Sequence, residues 1–418
     1  MSKDSLSLPH PAAAPLRRKV PLTTPLRHMR YRQLWLANLI SNLGTWTQTF
    51  ASAWLIATVS TSASTSTLVQ TASYLPILLF ALFAGVIADA VHRPKFLFWC
   101  NCFMALCACM LALLVHTGHA AAGPVLAITF CTGAGSAFMW PAWQAAMSGL
   151  VDPDEVEAAA TLNNLSYNVA AIVGPALGGV LFAWIGPGAL FMINAASFIG
   201  LLGVYGFWWR ESTAPVIDRA SFAASLKVGL SSALGCKRYR RILVNVSTVF
   251  FATIAFASLL PIFVKNVLHM NSSVFGMLMG SLGVGAVVGA LLLPTVRQHV
   301  GKTRLLAASL SVYGIMLLSL PFLHAVAVMV PLIMTAGMAW SAIVSTLNAA
   351  AQMAFPPAIR ARTLSIYLFV MAGGYTVGSL VWGRVADRFG VQAALAAAGA
   401  CVVINAIALL TGKRETSI

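Results

Sequence analysis

Long apolar runs alternate with short polar segments along the whole chain, and each run is about 20 residues long, the length that crosses a bilayer as an α-helix. A helix suits such a run because it satisfies every backbone N–H and C=O group internally. The predicted spans are 34–57, 67–88, 96–116, 124–147, 160–184, 188–209, 242–266, 273–295, 304–323, 326–351, 363–385 and 391–411. The pattern therefore predicts an all-α integral membrane protein with 12 transmembrane helices.

The spans fall into two groups of six, separated by the longest internal polar stretch. The predicted organisation is an N-terminal tail (1–33), an N-terminal six-helix bundle (34–209), a linker (210–241), a C-terminal six-helix bundle (242–411) and a short tail (412–418). The centre of the linker is weakly amphipathic and basic residues follow it. It is either a helix on the anionic inner leaflet or a solvated connection.

Composition excludes a soluble protein. The chain is 59% hydrophobic and 9% charged, with a mean hydropathy of +0.84, whereas soluble domains carry about 25% charged residues. The net charge of +16 does not indicate a nucleic-acid partner, because the basic residues form short clusters between apolar runs and not one compact face. Membrane lipid is the predicted surrounding, and lysine and arginine placement encodes topology.

The basic residues predict the orientation of the helices. With both termini in the cytoplasm, 23 of the 26 lysines and arginines lie on the cytoplasmic side, and only Lys265, Arg384 and Arg388 lie elsewhere. The opposite orientation would invert this bias, so both termini are predicted to be cytoplasmic. The first 33 residues lack an apolar core and are not interpreted as a signal peptide.

The two halves show signs of an internal repeat with an offset of 204 residues. At that offset Gln144 matches Asn348, and four glycines of the first half match four of the second: Gly85 with Gly289, Gly174 with Gly378, Gly179 with Gly383, and Gly186 with Gly390. Tyr31 and Tyr239, each between two arginines, precede the first and seventh spans. Parallel repeats around a shared pocket are one known plan for secondary transporters.

The loop after the second span has the pattern Gly85-x3-Asp89-x3-Arg93, followed by Lys95. Glycine permits close helix approach, and an aspartate at a helix end can pair with a nearby arginine or with a facing helix terminus. Such a contact can form in one conformation and break in another, so these four residues are predicted to act as a conformational switch. In the second copy of the loop, Leu293 replaces the acid.

The fifth span contains a second motif, with four residues that form its core: Gly174, Pro175, Gly178 and Gly179. Proline removes one backbone hydrogen bond, and clustered glycines permit a bend and tight packing.

These motifs resemble those of the major facilitator superfamily: the loop resembles its signature and the fifth-span motif is similar to that of its antiporters. Three further stretches resemble its transmembrane secretion effector branch, which includes enterobactin-type siderophore exporters: Ser41-x2-Gly44-x-Trp46, Pro141-Ala142-Trp143 and 191–198. The resemblance implies the major facilitator fold, a multi-pass protein of the bacterial inner membrane, and a monomeric exporter driven by a proton gradient.

In this architecture, as the resemblance implies, spans one, four, seven and ten line the cavity. Their polar side chains follow helical stripes, and amides are costly when they face lipid. The alternatives are a cavity lining or hydrogen bonds between helices. The predicted cavity residues are Asn38, Asn42, Trp46, Gln48, Trp143, Gln144, Asn245, Ser345, Asn348 and Gln352.

The cavity is predicted to be uncharged, because none of the ten acidic residues falls in the middle of a predicted span. A pump for lipophilic cations would favour a buried carboxylate. The substrate is therefore expected to be a small neutral, zwitterionic or anionic amphiphile. Proton coupling has no evident carrier besides Asp89. Six of the seven cysteines lie in apolar runs and are interpreted as packing residues, so neither a metal site nor a cofactor is predicted.

The predicted function is secondary active export by alternating access, with a siderophore as the narrower hypothesis. The alternatives are a broad-range multidrug efflux pump and an importer of a nutrient or an iron chelate. An intramembrane enzyme is disfavoured, because Ser136 has no basic partner within the membrane and no zinc-ligand pair lies on one helix face.

Overall fold

A computed structural model describes residues 21–211, 231 and 235–411, and this part of the chain is all-α. The two predicted tails, apart from 21–33, and most of the predicted linker lie outside the described residues. The helices are α1 (Met29–Val59), α2 (Ala63–Ala90), α3 (Arg93–His116), α4 (Ala122–Ser148), α7 (Lys237–Ile262), α8 (Ser272–His299), α9 (Lys302–Ser319), α10 (Val326–Met353), α11 (Pro357–Phe389) and α12 (Val391–Thr411). Between α4 and α7 a longer helical stretch, Val156–Glu211, is interrupted at Gly186 and is divided here into α5 (156–185) and α6 (187–211).

The two halves repeat the same backbone break at matching places. Gly186 has φ 76° between α5 and α6, and Gly390 has φ 90° between α11 and α12. Only glycine adopts this left-handed region without steric cost. Each glycine therefore sets the direction change between the fifth and sixth helix of its half.

Both halves are also held by the same tyrosine contact. Tyr31 Oη donates to the carbonyl of Ala159 (2.9 Å), and Tyr239 Oη donates to the carbonyl of Thr363 (2.5 Å). Both tyrosines are fully buried. To place them, α1 begins at Met29 and α7 at Lys237, five residues earlier than the predicted spans. The hydrophobic pattern missed these turns because each tyrosine lies between basic residues.

Nine helices of the described part are long and apolar enough to cross a membrane, with Pro153–Trp208 counted as one stretch and with α1 and α2 outside the set. Large apolar side chains on the bundle surface are exposed, among them Trp184 (80%), Phe207 (75%) and Leu291 (74%). Extended apolar surfaces of this kind mark a contact with a membrane or with another protein. The 12 spans and the cytoplasmic termini stay predictions from the sequence.

Two apolar cores show how the halves fit together. One core lies within the first half, around the start of α1, and includes Leu34, Trp143 and Phe198. The other runs through α7–α12 and continues into the first half at the end of α1, where it includes Phe50 and Trp54. The halves thus share a core at one end of the bundle, the end that carries the α1–α2 and α7–α8 loops. This end is called the closed face below.

Candidate gate and transport pathway

The closed face is held by contacts between helices of opposite halves. The α2/α11 seam joins the start of α2 to the end of α11, and the α5/α8 seam joins the end of α5 to the start of α8. A third contact joins the ends of α1 and α7. Each contact uses different chemistry.

In the α2/α11 seam a carboxylate caps a helix of the other half. Asp387, near the end of α11, accepts hydrogen bonds from the backbone N–H groups of Ala63 (2.6 Å) and Ser64 (3.2 Å) at the start of α2. It also accepts from the hydroxyls of Ser62 (3.0 Å) and Ser64. The free N–H groups and the positive end of the helix dipole make this a favourable site for negative charge.

Deeper in the same seam, uncharged groups continue the contact. The hydroxyls of Thr71 and Ser379 lie 2.7 Å apart. One turn further, the rings of Tyr74 and Tyr375 pack with centroids 4.4 Å apart. Tyr375 in turn meets Phe250 on α7, so the seam is continuous with the core of the second half.

In the α5/α8 seam the contact is made by backbone. A Cβ atom on Gly276 would lie 2.8 Å from both Pro175 O and Gly179 Cα, and one on Gly179 would lie 2.7 Å from Ser272 O. Distances this short leave no room for a side chain. Ser272 Oγ donates to the carbonyl of Gly179 (3.2 Å), which fixes the register of the crossing.

The residues of the predicted fifth-span motif thus contact two different helices, α1 and α8. Gly174 and Gly178 face α1, where added Cβ atoms would meet Trp46 (2.5 Å) and Phe50 (2.9 Å). Pro175 and Gly179 face α8 across the seam. The motif lets α5 approach one helix of its own half and one of the other half at once.

The third contact is made by Lys265, which follows α7. Its Nζ donates to the carbonyls of Ala57 (2.5 Å) and Thr58 (3.2 Å) at the end of α1. The last carbonyls of a helix lack intrahelical partners and carry the negative end of its dipole. The negative charge of Asp387 thus lies at the positive start of α2, and the positive charge of Lys265 lies at the negative end of α1. In both contacts the charged residue belongs to the second half and the helix end to the first.

The predicted switch loop lies at the opposite end of the bundle. The backbone places Gly85 and Asp89 in the last turns of α2, but the side chain of Asp89 and the surroundings of Gly85 are outside the described part of the structure. Arg93 and Lys95 belong to the first turn of α3, which His92 caps by accepting from Lys95 N (3.4 Å). The function assigned to this loop stays a prediction.

Two of the predicted cavity residues in the first half meet at one amide. Asn38 Nδ2 and Trp143 Nε1 both donate to Asn163 Oδ1 on α5, at 3.4 Å and 3.2 Å. All three side chains are buried. These contacts tie α1 and α4 to α5 within the half.

Another predicted residue, Gln48, contacts α6. Its Oε1 accepts from Asn194 Nδ2 at 2.7 Å, and both side chains are buried. Asn194 belongs to the stretch 191–198 that carries part of the family resemblance. The amide pair explains why both positions need polar side chains within an apolar bundle.

Trp46 belongs to an aromatic cluster of three helices. The ring of Tyr167 on α5 lies edge-on to Trp46 (5.7 Å) and to Trp140 on α4 (5.8 Å). Trp140 and Tyr167 are 37% and 38% exposed, whereas Trp143 is 1% exposed. Two residues of this cluster are thus partly exposed, and aromatic rings suit contact with an apolar part of a substrate.

The remaining predicted cavity residues lie on α1, α4, α7 and α10. Asn42 is half-buried on α1, Gln144 is exposed at the end of α4, and Asn245 lines a groove between α7 and α12. On α10, Ser345 Oγ accepts from Arg297 Nη2 (3.1 Å). Asn348 Oδ1 accepts from Gln352 Nε2 on the same helix face (2.6 Å).

Asp387, Lys265 and Tyr167 were not among the predicted site residues. For Asp387 the signal was present: Gly383-x3-Asp387 repeats the spacing of Gly85-x3-Asp89 at the opposite end of the bundle. Lys265 stood out only as an exception to the charge bias. Tyr167 carried no signal, because a lone tyrosine in an apolar run is most often a packing residue.

Acidic side chains are confined to the ends of the bundle in the part that the structure describes. Asp152, Asp154, Glu155 and Glu157 lie at the start of α5, and Asp387 lies at the closed face. Among the first group, Glu155 pairs with His28 (2.8 Å). Within the described side chains, the aromatic cluster has no carboxylate beside it.

Similar proteins were found in both sequence and structure. The profile of the family described as transmembrane secretion effector matches residues 21–416. The staphyloferrin A transporter of Staphylococcus aureus is 26% identical over 352 residues, which cover 84% of this chain and 87% of that protein. The multidrug efflux pump Tap of Mycolicibacterium fortuitum is 22% identical over 352 residues, 81% of this chain and 85% of that protein.

Two solved structures show the same fold. The bacterial homolog of the lysosomal transporter Spinster, inward-facing and occupied, has a TM-score of 0.72 at 14% identity and covers 94% of this chain and 97% of its own. The nucleoside transporter NupG has a TM-score of 0.70 at 14% identity and covers 91% of this chain and 98% of its own. The chain belongs to the transmembrane secretion effector family of the major facilitator superfamily, and it is a multi-pass membrane transporter and not an enzyme.

Proposed function

We propose that this transporter exports a small neutral, zwitterionic or anionic amphiphile by alternating access, with a siderophore as the narrower substrate class. The observation that carries the proposal is the closed face. Its contacts between halves are non-covalent and local: a carboxylate on N–H groups, an ammonium on carbonyls, paired hydroxyls and packed rings. Each can open without breaking the internal packing of either half, as rocking of two bundles requires.

The proposed orientation follows from charge. Because 23 of 26 basic residues lie on one side in the predicted topology, we place both termini in the cytoplasm of a bacterial inner membrane. The closed face is then periplasmic. A carrier closed toward the periplasm is in the state from which an exporter loads its substrate.

The proposed substrate class follows from the side chains beside the pathway. The exposed rings of Trp140 and Tyr167 suit an apolar group, and no carboxylate among the described side chains lies nearby to hold a cation. The similar staphyloferrin A transporter of Staphylococcus aureus supports siderophore transport. Export is the direction that the fifth-span motif favours.

A secretion assay tests the proposal in the source bacterium. A deletion strain grown under iron limitation is expected to release much less iron-chelating activity into the medium, as measured by dye displacement, and the wild-type gene is expected to restore it. Normal release would contradict siderophore export. Normal release with a lost uptake of the ferric chelate would instead indicate an importer.

Multidrug efflux is a second candidate, favoured by the aromatic cluster, because rings accept many apolar shapes. The similar pump Tap is described by that activity. The deletion strain would then become more susceptible to several unrelated lipophilic compounds. Under the siderophore hypothesis its susceptibility would stay unchanged while chelator release falls.

We further propose that the proton gradient drives transport through Asp89 and that the carrier acts as a monomer without a cofactor. Asp89→Asn in proteoliposomes is expected to abolish pH-gradient-driven transport while leaving substrate exchange without a gradient intact. Full gradient-driven transport by this variant would show that Asp89 is not the coupling residue. Light scattering of the purified carrier checks the oligomeric state.

A further inference from the structure

The end of α8 repeats the predicted switch loop of the first half without its acid. At the offset of 204 residues, Arg297 corresponds to Arg93, whereas Leu293 takes the place of Asp89. Between residues 237 and 411 the only acidic residue of the sequence is Asp387, which lies at the closed face. The second half thus keeps the arginine of the loop but offers it no carboxylate at this end of the bundle.

Arg297 contacts hydroxyl groups of α10 instead. Its Nη2 donates to Ser345 Oγ (3.1 Å) and Thr346 Oγ1 (3.3 Å), and the side chain is half-buried. A guanidinium also carries N–H donors on Nε and Nη1. In the described part of the chain these donors have no protein acceptor, and neither nitrogen is fully buried. The hydroxyl of Ser345 adds an O–H donor, because its oxygen already accepts from Arg297.

The arginine points into the angle between one helix of each half. On α8, Gly283 packs against Ile172 of α5, and Gly289 packs against Met338 of α10. At about 100° per residue these two directions differ by about 120°, and Arg297 lies between them, about 40° from the first and about 80° from the second. Arg297 therefore lies on the side of α8 that is enclosed by α5 and α10.

The exposed apolar face of α8 lies on the other side of the helix. Val288 (37% exposed) and Leu291 (74% exposed) are about 180° and about 120° from Arg297 around the helix axis. Along the axis, Arg297 lies about 31 Å from Gly276 of the α5/α8 seam, at about 1.5 Å per residue. Arg297 thus faces the space between the halves at the end of the bundle opposite the closed face.

We propose that Arg297 and Ser345 bind an anionic group of the substrate, in particular a carboxylate. The two side chains offer N–H and O–H donors and one positive charge, and a hydrogen bond between an arginine and a carboxylate is about twice as strong as a neutral one. The inference rests on the proposed export function and narrows its substrate class. In the orientation proposed above, the site lies at the cytoplasmic end, where an exporter loads, and it selects anionic amphiphiles over neutral ones.

A matched pair of probes tests the site: N-dansyl-phenylalanine, which carries a carboxylate, and its primary amide, which is neutral. Binding of each probe to the full-length carrier in lipid nanodiscs is measured by equilibrium dialysis, and binding to empty nanodiscs is subtracted. The parent chain should bind the acid about tenfold more tightly than the amide, because only the acid makes the charge-assisted contact. A parent chain that binds the acid no better than the amide overturns the proposal.

Substitution of the arginine separates binding from a structural role. Arg297→Gln keeps a donor for the hydroxyls of α10 but removes the charge, so its affinity for the acid should fall about tenfold while its affinity for the amide stays unchanged. Arg297→Lys keeps the charge and should keep most of the preference for the acid. An equal loss of both probes in Arg297→Gln would show that the arginine only joins α8 to α10, and an unchanged preference would also refute the site.

Arg304, exposed at the start of α9, provides the charge-matched control. Arg304→Gln removes the same charge near the same end of the bundle and should leave the preference for the acid unchanged. If Arg304→Gln and Arg297→Gln lose the preference equally, diffuse attraction explains the binding and the proposal is wrong. Ser345→Ala removes one donor and should weaken binding of the acid by about threefold.

Complementation of the deletion strain distinguishes this inference from the proposed function. Normal chelator release by the deletion strain would refute siderophore export, and the probe measurement would still decide whether Arg297 binds a carboxylate. If the deletion abolishes release, the gene with Arg297→Gln should restore much less of it than the gene with Arg304→Gln. Full restoration by Arg297→Gln at equal protein level would overturn the inference about Arg297 and leave export intact.

Discussion

The two seams of the closed face both join the halves, but they use different kinds of contact. The α2/α11 seam uses side chains, with Asp387 on a helix start, a hydroxyl pair and two stacked tyrosines. The α5/α8 seam uses the absence of side chains, with Gly179 and Gly276 in backbone contact. The first seam combines several side-chain contacts, each of which contributes separately, whereas the second depends on one close approach of two backbones. The contact of Asp387 with the start of α2 is called the latch below.

The repeat makes this difference informative. At the offset of 204 residues, Gly179 corresponds to Gly383, and both glycines let a helix end approach a helix of the other half. Asp387 corresponds to Ala183. The two seams thus share the glycine but only one has the carboxylate, so substitutions can separate steric from electrostatic closure.

The largest effect is expected from enlarging the glycine seam. Gly276→Val places branched carbon where Pro175 O and Gly179 Cα lie 2.8 Å from a Cβ position, and overpacking of this kind costs about 1–3 kcal/mol or more. The closed face should open in most molecules and transport should be lost. Spin labels at the exposed Val59 and Phe322, one in each half, measure the opening by double electron–electron resonance, with the seven native cysteines replaced by alanine.

Gly203→Val is the matched control, since a Cβ at this helical glycine would meet no atom within 4 Å. Its distance distribution should equal that of the parent chain. A Gly276→Val variant that stays closed would show that the α5/α8 seam is not needed for closure.

A smaller effect is expected from removing the charge of the latch. Asp387→Asn keeps the size of the side chain, but a hydrogen bond to a charged group contributes about 1.5–3 kcal/mol, roughly twice a neutral one. The closed fraction should fall about tenfold relative to the open one, read from the same label pair. Asp154→Asn, at the opposite end of the bundle, should have no effect, and an equal shift in both would refute a local latch.

Loss of the lysine contact should shift the equilibrium less. Lys265→Met removes donors to two carbonyls at the end of α1 but leaves both seams intact, so a shift of about fivefold, or 1 kcal/mol, is expected. If the α2/α11 latch and this contact act independently, the shifts of Asp387→Asn and Lys265→Met should add in free energy. Strong non-additivity would mean that they form one unit.

The smallest effect is expected inside the α2/α11 seam. Thr71→Val removes the hydroxyl that meets Ser379 (2.7 Å), but Ser379 Oγ still donates to the carbonyl of Thr376 (3.0 Å). About 0.5 kcal/mol, a twofold shift, is expected. A shift as large as that of Asp387→Asn would place the main latch at the hydroxyl pair and not at the carboxylate.

Much of the fold follows from sequence patterns. Apolar runs indicate the helices, and the glycine repeat identified Gly186 and Gly390, both of which have positive φ. These features are local: a run of apolar residues needs lipid or core, and a left-handed turn needs glycine. Their physical cause does not depend on which helices become neighbours.

The partners of polar residues could not be predicted in the same way. A stripe on α1 places Asn38 and Gln48 on polar faces, but Asn163 and Asn194, with which they bond, lie on two different helices. Whether an amide meets a cavity or another amide depends on three-dimensional packing. For Asp387 the charge near a helix end was visible, but its target, the start of α2 in the other half, is more than 300 residues away in the chain.

The tyrosine contacts bear on how the protein is made. Tyr31 reaches Ala159 and Tyr239 reaches Thr363, so each half closes its own first helix onto its own fifth. Domains generally fold as units, the N-terminal one first, during synthesis. The first bundle can therefore form its internal contacts before α7 is synthesised. The second half then packs against a first half that is already folded.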